Sequence, residues 1–363
     1  MQASSSVPGS GKFPGLITRE HEPLNLELPF PTLTDWLPPT NQFYVRSHFA
    51  IPQLTADEWH LSISGAVQQE LTISYEELCQ LPAQTVAATL ECAGNGRSRL
   101  VPKAKGLLWE QGGVGNAEWT GVPLATLLER AGVAAEAVEI IFEGADSGTI
   151  AEEPKSPGVI YFARSLPLAK ALAAEVLVVY AMNGRPLTPE HGFPVRLVVP
   201  GWYGMASVKW LRNIIVSPTP FQGYWQTLEY AYWQRAHGQP TLVPVTEMQV
   251  KAEIARPAQY EVLPGGAPYR VFGAAWSGES EVAQVEVSAD GGQSWHLATL
   301  LGAAVPYTWR FWEYAWPTPA QPGRYHLAAR ATDQASHTQP TEHDPDRRTY
   351  MVTTIATIEV IVE

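Results

Sequence analysis

The chain has 363 residues, 45 % hydrophobic and 17 % charged, enough for about two domains with substantial cores. Its 24 Lys plus Arg against 36 Asp plus Glu give a formal charge of −12, which argues against general binding to nucleic acid or to an anionic membrane. The two cysteines form no CxxC or CxxCH motif, so nothing supports a disulfide framework, a structural zinc site or covalently attached haem.

Residues 1–12, MQASSSVPGSGK, have neither an apolar core nor a twin arginine and read as a disordered tail. No run of 18 apolar residues predicts a membrane helix. The expected location is the cytoplasm, with the periplasm as the alternative if a leader has been removed.

Residues 13–240 read as one domain of strands, short helices and frequent Pro and Gly punctuation. Ser74 with Glu77 forms a capping box before YEELCQLP, a short helix in which Cys79 reads as packing. Over residues 83–92, Val86, Ala88, Leu90 and Cys92 share one parity while Thr85, Thr89 and Glu91 take the other. This predicts a half-buried strand with Cys92 on its inward face. Gly94-Asn95-Gly96 then permits positive φ and a close approach to another group. A buried cysteine at a strand end is what ordinary packing gives; the alternative is a thiolate that something uses.

GVPLATLLERAGV predicts a helix with Pro123 near its start and Gly132 at its end. SLPLAKALAAEVLVVYAMNGRPL predicts a helix, a buried strand and an Asn183-Gly184 turn. HGFPVRLVVPGWYGMASVKWLRNIIV predicts two strands joined by a glycine-containing loop. No βαβ repeat emerges, so the domain reads as mixed α+β. Residues 241–363 are different in kind: short alternating runs such as YRVFGAAWSG, EVAQVEVSADGGQSWHLATL and GRYHLAARATD, with a hairpin signal at Asp290-Gly291-Gly292. They predict a β-sandwich of immunoglobulin type.

Cationic residues recur beside these elements in the otherwise acidic chain: Arg46 and His48, Arg97 and Arg99, His191 and Arg196, and Lys209. If they converge, they form an anion site, with arginine forks suited to phosphate or a sulfur oxyanion. Singly, each is more ordinarily a surface charge or a satisfied core histidine.

The ordered set FYVRSH, LECAGNGR, GNAEWTGVPL, FEGAD, MNGRPL, HGFPVRLVVPG, SVKWL, VEVSADGGQSW and ARATD resembles the sulfite oxidases from about residue 24 to the C-terminus. The resemblance implies an α+β domain holding molybdenum on molybdopterin, followed by an immunoglobulin-like domain that makes a homodimer. It implies Cys92 as the thiolate ligand of molybdenum. It implies Tyr44, Val45, Arg46, Ser47, His48, Asp146, His191, Arg196, Ser207, Val208 and Lys209 as the cofactor-holding residues. Arg46, Arg97 and Arg348 match the family's substrate-anion arginines, Tyr230 its active-site tyrosine and Trp109 its pocket wall.

The activity so implied is oxidation of sulfite, or a similar small sulfur oxyanion, with electrons leaving to a cytochrome or oxygen, because no haem or flavin segment is attached. Three departures bear on substrate and partner: Gly96 where animal and plant members carry an arginine, Ser47 where they carry asparagine, and an acidic loop after Asp146. A sulfane dehydrogenase, a sulfoxide or nitrate reductase, and a non-catalytic anion-binding protein are the alternatives.

Overall fold

The computed structural model describes residues 13–363, so the tail expected at 1–12 lies outside the described residues. Among the described residues, two five-stranded sheets carry most of the first half, beside the short ladders Ile17–Glu20 with Asn25–Glu27 and Ala231–Ala236 with Gln239–Pro244. One is antiparallel and runs Arg185–Pro186, Leu177–Met182, Val114–Pro123, Gln84–Glu91, with Arg196–Val198 also paired to Leu177–Met182. The other runs Leu71–Ser74, His60–Gly65, Leu211–Ser217, Glu139–Gly148, Ile160–Pro167, and its pairing of His60–Gly65 with Leu211–Ser217 is parallel. The strands predicted within HGFPVRLVVPGWYGMASVKWLRNIIV therefore belong to different sheets, and the loop between them crosses from one to the other.

Helix Leu124–Ala131 follows Pro123 and ends at Gly132, whose φ of +69° closes it. Its Leu124, Leu127 and Leu128 are fully buried, each stabilising the fold by about 1.5–3 kcal/mol. Helix Tyr75–Gln80 carries the expected capping box. Its inward residue is Leu78, and the six-residue helix turns Cys79 outward, so Cys79 is exposed rather than packed.

The second half stacks two sheets. One runs Lys251–Arg256, Pro268–Trp276, Arg310–Pro317, Thr299–Leu300; the other runs Val262–Leu263, Thr357–Val362, Gly323–Asp333, Val282–Ser288, His296–Leu297. The first of these is buried on both faces. Val271 and Ala275 point into the core between the two sheets, whereas Phe272, Ala274 and Trp276 join the core of the first domain. That second covering changes one sequence expectation. Thr89 and Glu91, placed on the open side of strand Gln84–Glu91, are buried because residues near Trp309 and Lys251 lie over them.

Candidate active site

Cys92 follows the last residue of Gln84–Glu91, and its amide donates to Gly113 O at 2.8 Å. It opens on a cavity of about 650 Å³ that Tyr44, Arg46, Ser47, His48, Asp146, His191, Arg196, Ser207, Lys209 and Tyr230 also line. These residues arrive from loops and strand ends of both first-domain sheets. Gly204 lets the wall close: a Cβ there would stand 2.7 Å from the Tyr44 hydroxyl.

Burial and mutual repulsion dominate the electrostatics. Arg196 donates from Nη1 to His191 O and from Nη2 to Ser207 O, both at 3.0 Å, and burial lowers it to about 10. Lys209 donates to Glu190 O at 2.8 Å and Ser47 Oγ at 3.2 Å; burial, then the Arg196 charge, holds it well below its ordinary range. Burial, then Lys209 and Arg196, lowers His191 to about 3, so it is neutral. Asp146 is pushed up to about 7 by burial despite Lys209 nearby, and its buried Oδ1 has no hydrogen-bond partner.

At the cavity's outer end the Tyr230 hydroxyl meets His48 Nε2 at 2.6 Å. Tyr230 follows a single π-helical turn, Trp225–Glu229, a local irregularity that aims its side chain inward. Arg46 and His48 also line a larger outer cleft of about 1680 Å³, together with Glu20, Arg97, Lys105, Glu152, Glu153, Glu229, Arg348 and Tyr350. Arg97 donates from Nε to Thr349 O at 3.1 Å and from Nη1 to Leu107 O at 3.2 Å, so first and second halves meet at the cleft floor.

Several candidates occupy places other than those the sequence suggests. Trp109 lines neither cavity: it is fully buried edge-on to Tyr44, with ring centroids 6.1 Å apart. The Val45 side chain packs with Phe13 and Leu26, and its N and O both pair with Leu26. Val208 belongs to the main core, its amide donating to Ala206 O and its carbonyl accepting from Leu197. Arg99 turns away from the cavity and grips Glu253. Arg348 reaches the cleft wall, but its Nη1 is directed at the carbonyls of Leu228 and Ala231, each at 2.9 Å. Glu190, Gly204 and Met205 line the cavity and escaped notice, although the glycine in GWYGMAS signals a close approach.

Residues 48–225 match the oxidoreductase molybdopterin binding domain, and residues 243–359 match the Mo-co oxidoreductase dimerisation domain. Chicken sulfite oxidase is 35 % identical over 349 residues, covering 91 % of this chain and 74 % of its own length. The chain belongs to the sulfite oxidase family. Human mitochondrial sulfite oxidase is 34 % identical over 347 residues; the match takes in 91 % of this chain but only 62 % of the human protein's length. An Arabidopsis thaliana NADH nitrate reductase is 31 % identical over 361 residues, covering 89 % of this chain and 38 % of its own. The solved structure of the sulfane dehydrogenase SoxCD from Paracoccus pantotrophus superposes with a TM-score of 0.79 at 28 % identity, covering 93 % of this chain and 84 % of that one. The family's molybdopterin domain is thus the half that carries Cys92 and the inner cavity.

Proposed function

We propose that this chain is a molybdenum-dependent oxidoreductase that oxidises sulfite, or a closely related sulfur compound, and hands the electrons to a separate acceptor such as a cytochrome or oxygen. One observation carries the reading: a buried thiol, Cys92, shares a cavity with Arg46, Arg196 and Lys209 against Asp146 and Glu190. The cavity lining thus carries more basic than acidic side chains, which suits an anionic occupant.

The residues present fit molybdopterin. The Asp146 carboxyl, with an unpartnered oxygen, suits a pterin's N–H donors. Arg196, Ser207 and Lys209 suit a phosphate, and the Cys92 sulfur suits a soft metal. Among the described residues no cluster of three or more His, Cys, Asp or Glu could hold a metal, so further ligands would come from the cofactor. When bound, the molybdenum centre supplies two-electron oxygen-atom transfer. The chain's own side chains hold and orient. Arg46, at the junction of inner cavity and outer cleft, and Arg97, on the cleft floor, attract the anion and offset its charge on approach. Burial holds Tyr230 at about 12, so its hydroxyl stays protonated and exchanges a hydrogen bond with neutral His48.

Residues 241–363 we take as the dimerising unit, an immunoglobulin-type sandwich packed on the catalytic unit, 13–240. The test is metal analysis of the purified chain joined to sulfite-dependent dye reduction. About one molybdenum per chain with turnover supports the reading; a metal-free chain that binds sulfite without turnover sinks it. A second reading, dehydrogenation of a longer sulfane compound, is favoured by the outer cleft, whose lining extends the cationic path from Arg46 out to Arg97, Lys105 and Arg348. Parallel assays with sulfite, an alkyl persulfide and nitrate separate the three chemistries.

A further inference from the structure

A knot of buried charge lies behind the Cys92 turn, on the side away from the cavity. Glu91 Oε1 accepts from Asn95 Nδ2 at 3.0 Å and from Lys251 Nζ at 3.1 Å, while Glu91 Oε2 accepts from Trp276 Nε1 at 2.9 Å. Lys251 comes from the second half, is fully buried, donates also to Asn95 O at 3.2 Å and lies 3.7 Å from Glu253. Arg99 closes the cluster on Glu253 with two bonds of 2.7 Å. Two cations balance two carboxylates.

Such a cluster loses much of its attraction to desolvation, so stability alone is a weak account of it. The geometry says more. Glu91 and Asn95 bracket Cys92, and one ammonium grips both. The Asn95 amide donates to Cys92 O at 2.8 Å, and Met351 of the second half donates to Ala93 O at 2.8 Å. Gly96, at φ +92°, takes a backbone conformation that other residues rarely adopt, and so lets the turn close beside Lys251. The turn that carries the thiol is therefore tied from outside by groups of the other half.

We propose that Lys251 is a positioning residue for Cys92, so that the second half completes the thiol site as well as pairing the chains. The proposal takes from the functional reading only that the Cys92 sulfur is the working atom. Its test is separate: the rate at which iodoacetamide alkylates Cys92 in the full chain, in a Cys79→Ser background, purified from cells that make no molybdopterin. Two charge-balanced variants divide the cluster, Lys251→Met with Glu91→Gln for the inner pair and Arg99→Met with Glu253→Gln for the outer pair.

The inner variant should raise alkylation by about tenfold, because the turn opens locally, and lower molybdenum retention when the chain is made with cofactor. The outer variant should stay within about twofold of the parent even if its melting temperature falls as far. Equal rates for the two variants, or a protected thiol in a folded inner variant, overturn the proposal. If circular dichroism shows the inner variant unfolded, Lys251→Gln with Glu91→Gln, which keeps an amide donor near Asn95 O, answers in its place. A parent without molybdenum would overturn the functional reading and leave the alkylation comparison intact.

Discussion

Tyr230 Oη lies 2.6 Å from His48 Nε2, inside a frame formed by Phe162 and Trp225, whose rings each sit 4.5 Å from the His48 ring, and by Tyr350, 5.1 Å from the Tyr230 ring. Burial holds the phenol at about 12 and the imidazole well below its ordinary value, so both are neutral through the physiological range. Tyr230→Phe should keep its molybdenum and lose about 10²-fold in kcat, the scale of a lost proton-handling group. Steady-state kinetics beside metal analysis checks this, and equal kcat values would remove Tyr230 from the chemistry.

The two cysteines should separate cleanly. Cys92→Ser changes side-chain volume little but replaces a soft ligand with a hard one, and should abolish sulfite-dependent activity in a folded chain. Cys79→Ser, on an exposed helix face, should retain activity. Parallel loss in both variants would contradict the assignment.

The cations should divide by depth. Arg196→Gln or Lys209→Gln, within the inner cavity, should empty the chain of cofactor, measured as molybdenum and pterin content. Arg97→Gln, on the outer cleft, should keep molybdenum and raise KM by about one to two decades, the worth of one charged hydrogen bond to an anion.

Arg348 carries a sharper expectation than the sequence allowed. Its guanidinium points at Leu228 O and Ala231 O, on either side of Tyr230, and its own φ is +59°. Arg348→Ala should therefore lower kcat as well as raise KM, each by about tenfold, because the segment that aims Tyr230 loosens. A change confined to KM would show that the clamp has no part in aiming the phenol.

His191 sets a pH dependence. Folded, it is held neutral down to about 3, whereas unfolded it takes a proton at its ordinary 6.5. Below 6.5 the unfolded chain binds more protons, so the His191 contribution is full above 6.5 and is lost progressively toward 3. The slope approaches about 1.4 kcal/mol per pH unit for one group. Denaturant titrations of the cofactor-free chain from pH 7 to 4 should show a smaller loss for His191→Asn than for the parent.

Local chemistry was legible wherever one covering decides the pattern. The parity of Val86, Ala88, Leu90 and Cys92, the Ser74–Glu77 box and the Asn183-Gly184 turn, with φ of +50° and +70°, all follow from short-range rules. What failed to show depends on a second covering by distant sequence. Glu91 looked solvent-facing because nothing nearby announces Lys251, 160 residues on. Arg348 kept its matching position, yet the carbonyls that claim its guanidinium come from a turn 117 to 120 residues earlier. Trp109 sits one layer behind Tyr44, and a sequence motif does not distinguish the wall from its backing.

The basic lining of the inner cavity reaches beyond recognition. Lys209 is depressed by burial and then by the neighbouring Arg196 charge, and Arg196 is depressed by burial. An anionic occupant that binds only the folded chain offsets these buried cations and stabilises the protein by mass action. Chains left without it open more often and are exposed to proteases in proportion. The cellular level of this protein should then follow the supply of its cofactor, so that scarcity removes the empty chain rather than leaving it to accumulate.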